Sequence, residues 1–565
     1  MLENNQREPR IAYFSMEIAI KNSIKSFSGG LGVLAGDTLK SAADLEIPVV
    51  AVTLLNKDGY FKQKISEKGH QVELQDQYDT SELELAGTST VKIGADKVRI
   101  KIWRYSLVGR TGYTVPVYFL DSDCGENKDK YKNLTGKLYG GDNRYRLMQE
   151  IILGRGGVRA LRALGMDKIK KYHLNEGHAA LATLELFSDL KPKPFSSSPA
   201  DIHKRSKEIR ESIVFTTHTP VAAGHDVFSL DLVRELQPDF PYNIPELITD
   251  RKLNMSRLAA YFSSYINGVS KKHGEVSREI FPGYEIDFIT NGVHSETWTG
   301  PDFKNLFDKH IPSWRSNNLS LRNALKIPNR EIWNAHQSAK ERLVRYIEEK
   351  TEKILSKEVF TIGFARRFAT YKRPDLIFED IERLLEINDK VGKIQIIYAG
   401  KAHPHDGMGK EKIRKVNEVI KKNEDKIGLV FLENYDMEIA KLLVAGVDLW
   451  LNNPIPPKEG SGTSGMKAAH NGVPQLSTKD GWWLEGFIPQ KTGWSIGIED
   501  KNQNPQERWR RDAEDIYKKL ASEIIPTYYK RRGKWIEIMK NCISTNGSYF
   551  NSERMLFEYI RKAYL

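Results

Sequence analysis

Val447-Asp448-Leu449-Trp450-Leu451-Asn452 leads through the breaker run Asn453-Pro454-Ile455-Pro456-Pro457 to Glu459-Gly460-Ser461-Gly462-Thr463-Ser464-Gly465-Met466-Lys467. The first six residues are mostly apolar, which predicts a strand buried on both faces. The Gly, Ser and Thr positions predict a loop that turns N–H groups and hydroxyls toward an anion. The last residues open a helix through Ala468 and Ala469. Lys467 then lies in the first turns of that helix. A positive field and partial burial there lower a lysine pKa, as an imine-forming lysine requires. This is not a Walker loop, because the lysine follows Met466 and no Ser or Thr follows it. Strand, loop and helix in this order are the repeating unit of a parallel sheet covered by helices.

The alternation extends in both directions, and the fold class it predicts is α/β. Apolar runs predict strands at 47–53, 115–120, 213–217, 286–290, 360–364, 394–399, 429–432 and 447–452. Helical periodicity marks 144–164 and 341–357, and 552–564 reads as an amphipathic helix. With 565 residues the chain is long enough for more than one domain. A strand ending in Thr290-Asn291-Gly292 places a break near 291–301. The expected division is 1–296, 297–545, and a C-terminal helix within 546–565 that packs back on the first domain. The run 191–200, rich in Pro, Ser and Lys, reads as a surface loop.

Composition narrows the function classes. Hydrophobic residues are 40% and charged residues 28%, which excludes a disordered, collagen-like or disulfide-scaffold chain. The net charge of +12 permits an anionic partner. Both signs mix locally, as in Arg205-Ser206-Lys207-Glu208, so most of that charge reads as solvated surface. Recognisable nucleic-acid modules are absent, so no nucleic-acid partner is expected. Cys124 and Cys542 form no ligand spacing, and no metal is expected. The polar start and the lack of a long apolar run predict a cytoplasmic protein with no membrane partner.

Three more segments carry chemistry. Ser28-Gly29-Gly30-Leu31-Gly32 precedes a helical stretch, a backbone turn that a ligand can approach closely. Arg366-Arg367 and Lys372-Arg373 follow the strand 360–364 and offer four cations for phosphate groups. Leu174-Asn175-Glu176-Gly177-His178 and Thr216-Thr217-His218-Thr219-Pro220 place histidines after apolar runs, where they can contact hydroxyls or move protons. Taken alone, a glycine turn, a solvated basic loop and structural histidines would account for these segments. Parallel sheets bind ligands beyond their carboxyl ends, so a cleft between two such domains is the expected site.

Together these segments resemble the glycogen and starch α-glucan phosphorylase family in its shorter bacterial and archaeal form. The resemblance spans about 13–483 and is tightest at 459–467 with Asn471-Gly472. Further matches are 29–32, 174–181, 216–220, 290–298, 366–373, Gly400-Lys401-Ala402 and 431–435. It implies a GT-B fold, with two Rossmann-like domains and the active site in the interdomain cleft. It implies pyridoxal 5′-phosphate carried by Lys467, with the cofactor's phosphate rather than its ring in the chemistry. The implied reaction is reversible, retaining phosphorolysis of terminal glucose units of an α-1,4-glucan by inorganic phosphate, giving α-glucose 1-phosphate.

The resemblance also assigns residues. Arg367 and Lys372 match positions that hold the substrate and cofactor phosphates, and Arg366 one that contacts the cofactor phosphate. Thr463 and Ser464 match its backbone cradle, while Tyr435 and Trp298 match aromatics near the cofactor. Glu459, Ser461 and Gly462 match contacts to sugar hydroxyls. Gly30 and Leu31 match the loop beside sugar and phosphate, and His218 and Asn291 residues at the glucosyl ring. The chain departs from the pattern at Ala369, at Gly465 in place of Asn, and at Asp480-Gly481-Trp482-Trp483. The family leads to the expectation of a homo-oligomer. The competing reading is a nucleotide-sugar-dependent GT-B glucosyltransferase, which has no use for an imine-forming lysine. A glucan-binding protein without activity is a further alternative, against which Arg367, Lys372 and Lys467 all stand.

Overall fold

The computed structural model describes residues 8–190, 199–221, 224–242, 244–497 and 504–565. The chain forms two compact units. The first comprises Met1–Phe61, Gln75–Thr290 and Met555–Leu565, and the second Lys62–Leu74 and Asn291–Arg554.

The second unit is built on six parallel strands. In spatial order they are Gly428–Leu432, Ile394–Ala399, Phe360–Ala365, Leu449–Asn452, Gln475–Thr478 and Gly493–Ile496. In chain order that is third, second, first, fourth, fifth, sixth. The order therefore reverses between Phe360–Ala365 and Leu449–Asn452, the point at which open α/β sheets bind ligands. Phe360–Ala365 and Ile394–Ala399 are buried at every residue, as strands covered on both faces must be. Helices Ile381–Lys390, Gly407–Lys422 and Met437–Gly446 each open on an aspartate, Asp380, Asp406 or Asp436, that accepts an N–H of the first turn.

The first unit has a nine-stranded sheet. Seven strands are parallel, in the order Asp287–Phe288, Tyr265–Gly268, Ile213–Thr216, Lys171–Asn175, Ile11–Ser15, Val49–Leu54 and Thr114–Asp121. Asp96–Val108 and Glu84–Ile93 extend it as an antiparallel pair. Its order reverses between Ile11–Ser15 and Lys171–Asn175.

All eight strands expected from the apolar runs are present, within a few residues. The antiparallel pair was not expected, because its residues alternate between buried and exposed and never form an apolar run. The expected helix 144–164 is Asn143–Ile151 and Gly157–Ala163 joined by a π-helical stretch, Ile152–Gly156. Gly154 lets it approach the next helix, since a Cβ there would lie 2.6 Å from Ala182 N. The helix expected at 341–357 spans Asn329–Thr351 and ends at Glu352, which adopts φ 58°. Most of the loop expected at 191–200 lies outside the described residues, and its last positions open the helix Pro199–Arg210.

Two segments join the unit that is distant in sequence. The hairpin Lys62–Ile65 with Gln71–Leu74 belongs to the second unit, where Gln63 Nε2 donates to Gly400 O at 2.8 Å. The C-terminal Ser552–Tyr559 helix passes into a π-helical turn, Ile560–Tyr564. Its Tyr559 and Tyr564 hydroxyls lie 3.1 Å from Thr216 Oγ1 and 2.6 Å from His173 Nδ1 in the first unit. Cys124 and Cys542 are buried and free. Among the described residues no helix is long and apolar enough to cross a membrane.

Candidate active site

In the second unit, Arg366 directly follows the strand Phe360–Ala365 and Asn452 ends the neighbouring strand Leu449–Asn452. The Arg366 guanidinium donates to Asn452 Oδ1 and to Glu459 Oε2, across the reversal point of the sheet. Lys372 Nζ lies 2.5 Å from the same Glu459 oxygen. Glu459 and Lys372 are buried. Burial pushes the Glu459 carboxyl up, but Arg366 and then Lys372 outweigh it and hold its pKa at about 2.

Asp480 lies just beyond the strand Gln475–Thr478 and accepts the Glu459 and Gly481 N–H groups, each at 2.9 Å. Burial, and then the Glu459 charge, push its pKa up to about 7 against those hydrogen bonds and Lys372. Two adjacent carboxyls are thus held apart, one ionised by cations and one drawn toward neutrality by burial. Tyr371 is half-buried, with Lys372 Nζ 4.6 Å from its ring centroid. Burial raises its hydroxyl, yet Lys372, Arg367 and Arg366 bring it below its ordinary value.

Lys467 is buried in the short helix Ser464–Ala469, and its Nζ lies 4.0 Å from the Trp298 ring centroid. Asn471 fixes that pairing. Its Nδ2 donates to Trp298 O at 2.8 Å and to Lys467 O at 3.0 Å, while its Oδ1 accepts Gly300 N–H at 2.6 Å. The loop before Lys467 is tightly packed. Gly462 adopts φ 84°, and a Cβ at Gly465 would lie 1.5 Å from Gln475 Oε1. A side chain at 465 would require the Gln475 amide to move. Trp482 N–H donates to Ser461 O at 2.9 Å, and its ring packs beside Gly465.

In the first unit, Glu17 follows the strand Ile11–Ser15 and collects the glycine loop. The Ser28 and Gly29 N–H groups donate to Glu17 Oε2 at 2.5 and 3.1 Å, and the Tyr139 hydroxyl donates to Oε1 at 2.9 Å. Gly30 opens the helix Gly30–Asp44. A Cβ at Gly29 or Gly30 would meet no atom within 4 Å, whereas one at Gly36 would lie 1.9 Å from Ala19 O. Packing inside the protein demands glycine at 36 and leaves space beside 29 and 30. At the end of the neighbouring strand, Lys171–Asn175, Asn175 Oδ1 lies 2.6 Å from His218 Nε2. Glu176 Oε2 accepts His218 N–H at 2.8 Å. Burial pushes His218 and His178 down to about 4, so both are neutral near pH 7.

The expected residues therefore fall into two sets. The second unit joins Arg366, Lys372 and Glu459 directly, with Tyr435 close enough for its hydroxyl to feel Arg366, and separately pairs Lys467 with Trp298. Burial and Asp436 raise Tyr435 against that arginine. Thr463, Ser464 and Gly462 are half-buried in the loop, and Ser464 Oγ accepts Trp450 Nε1–H at 3.1 Å. Asn291 Oδ1 and Ser461 Oγ are buried without a partner among the described residues. Arg367 differs from its neighbours in being exposed. The first unit carries Gly30, Leu31 and His218.

Sequence reasoning missed Asn452 and Tyr371 as site residues, and Glu17, Tyr139 and Asp480 as supports. Asn452, Glu17 and Asp480 share a usable signal, since each ends or closely follows a parallel strand at its carboxyl end. Tyr139 has no such signal. The residues present fit a pyridoxal phosphate chemically. There is an amine for attachment under an aromatic ring, and the same unit holds two cations, Arg366 and Lys372, paired to one carboxylate. Arg366 Nε is a buried donor left without a partner among the described residues.

Comparison with known proteins agrees. The carbohydrate phosphorylase family model matches residues 241–493. A maltodextrin phosphorylase of Thermococcus litoralis is 39% identical over 99% of this chain and 70% of its own length. A glycogen phosphorylase of Aquifex aeolicus is 36% identical, with 100% of this chain and 87% of its own covered. One of Mycobacterium tuberculosis is 35% identical over 98% of this chain and 70% of its own. On that likeness the chain belongs to the carbohydrate phosphorylase family.

Proposed function

We propose that the protein is an α-1,4-glucan phosphorylase that cleaves terminal glucose units of glycogen, starch or maltodextrin with inorganic phosphate, giving α-glucose 1-phosphate with retained configuration. The observation that carries this reading is the Arg366–Glu459–Lys372 cluster at the reversal point of a parallel sheet, in a chain of this family. The reading includes a GT-B arrangement and a cytoplasmic, homo-oligomeric enzyme.

Lys467 would carry pyridoxal 5′-phosphate, with Trp298 and Tyr435 beside it and Thr463, Ser464 and Arg366 at its phosphate. When bound, the cofactor supplies a phosphate that can exchange a proton with the substrate phosphate. The protein's own residues do the rest. Lys372 and the arginines 366 and 367 bind and orient phosphate oxygens and offset the repulsion between like charges held close together. Lys372 is buried and Arg366 is nearly so, in contrast to exposed Arg367, so their charge acts in a lower dielectric and is stronger than in water. Glu459, Ser461, Gly462 and Asn291 offer acceptors and donors to sugar hydroxyls. His218, held by Asn175 and Glu176, presents a neutral imidazole that hydrogen-bonds a hydroxyl without adding charge. Gly30 and Leu31 leave room for close approach of sugar and phosphate.

The test is phosphorolysis of maltodextrin by the purified protein and by Lys467→Ala. The reading expects phosphate-dependent glucose 1-phosphate from the wild type, and neither product nor bound cofactor from the variant. Full phosphorolysis by Lys467→Ala would refute it.

A further inference from the structure

Glu459 has two incompatible attractions. As a sugar contact it should face hydroxyls, yet its Oε2 accepts from Arg366 and lies 2.5 Å from Lys372 Nζ. These are the cations a phosphate group needs. A carboxylate and a phosphate bring the same chemistry to them, anionic oxygens seeking charged donors. They cannot both hold the same pair at full strength, because two buried anions in contact repel each other.

The anchoring of the Glu459 backbone is separate from the pairing of its carboxylate. Asp480 Oδ2 holds the Glu459 N–H at 2.9 Å, and Gly462, one turn further on at φ 84°, packs against the Glu459 side chain. The residue is anchored at its main chain and paired only through its tip. An ionised carboxylate released from its cations is purely an acceptor, which sugar hydroxyls satisfy.

We propose that Glu459 works by exchange: a phosphate group arriving at Arg366 and Lys372 displaces the Glu459 carboxylate, which then becomes available to the sugar. Phosphate and sugar consequently bind with positive coupling, each tightening the other by the same factor. This rests on the proposed function for the identity of the ligands. The phosphate group is that of the substrate or that of the cofactor, and the two sources are separable.

The experiment is calorimetric titration of the holoenzyme with inorganic phosphate, without glucan, for wild type, Glu459→Gln and Lys372→Ala. A parallel measurement follows loss of pyridoxal phosphate on dialysis. Tightening by Glu459→Gln of about tenfold, within the usual range of coupling between sites, supports exchange with substrate phosphate. Unchanged phosphate affinity with slower cofactor loss supports exchange with the cofactor's phosphate. If neither change occurs, the proposal is overturned. If Glu459→Gln does not fold, the wild type decides through its affinity for glucose, which it does not cleave. Glucose binding tightened about tenfold by phosphate supports exchange, and binding indifferent to phosphate overturns it. Phosphate affinity unaffected in Lys372→Ala would instead bring down the site assignment beneath the proposed function.

Discussion

The two units solve one architectural problem with opposite electrostatics. Each has a parallel sheet whose strand order reverses beside its first strand, and each places polar residues just past that point. In the second unit those residues are charged, with Arg366 and Lys372 holding Glu459 ionised. In the first they are glycines, a carboxylate turned toward backbone N–H groups, and histidines made neutral by burial. The fold supplies the position and the residues supply the chemistry. One end suits an anion that needs cations, and the other suits hydroxyls that need neutral partners and space.

Substitutions sharpen this contrast in decreasing order. Lys372→Ala removes a buried cation and should lower kcat/KM by roughly a hundred- to a thousandfold, with the phosphate KM rising far more than the glucan KM. Equal rises would break the assignment of the charged end to phosphate. His218→Ala should do the reverse, with a glucan KM about tenfold higher and a nearly unchanged phosphate KM. Tyr139→Phe takes one donor from buried Glu17 and should cost about 1 kcal/mol of stability by denaturant unfolding. A loss near zero would mean that the hydroxyl does not hold the glycine loop.

A separate effect is a pH slope. Asp480 has a folded pKa of about 7 against an ordinary 3.8, so the folded protein binds its proton more tightly than the unfolded chain. That contribution is fully present below pH 3.8 and is lost as pH rises through about 7. The stability of wild type relative to Asp480→Asn should therefore decline across that window. Glu459 has the opposite sign. Its pKa falls from 4.5 to about 2, so its stabilisation is present above pH 4.5 and lost as pH falls toward 2. A pH-independent difference between wild type and Asp480→Asn would show that Asp480 titrates normally.

Much of this is legible where the information is contiguous. The strand 360–364 and the cations after it, or the run 459–467, carry both their structure and their chemistry in one stretch. What was not legible depends on pairings across the chain. Nothing local in Asn471 says that it ties Trp298 to Lys467, or in Asn452 that it meets Arg366, because packing across the chain decides the first and sheet order the second. Nothing local at Gly465 says that the Gln475 side chain fills the space beside it. Arg367 and Arg366 look alike in sequence, yet only Arg366 is drawn inward, since successive residues leaving a strand point to opposite sides. The antiparallel pair at 84–108 was missed for a similar reason, its alternation being that of a sheet with one wet face.

The measurement that bears most directly on the central claim is the identity of the product as phosphate is varied. Maltodextrin is incubated with the holoenzyme in buffers from phosphate-free to saturating, and the released sugar is analysed. The account predicts α-glucose 1-phosphate, rising with phosphate and absent without it, and a phosphate requirement shifted upward in Lys372→Ala. Free glucose released at a rate indifferent to phosphate, or no cleavage with the cofactor bound and phosphate saturating, would contradict it.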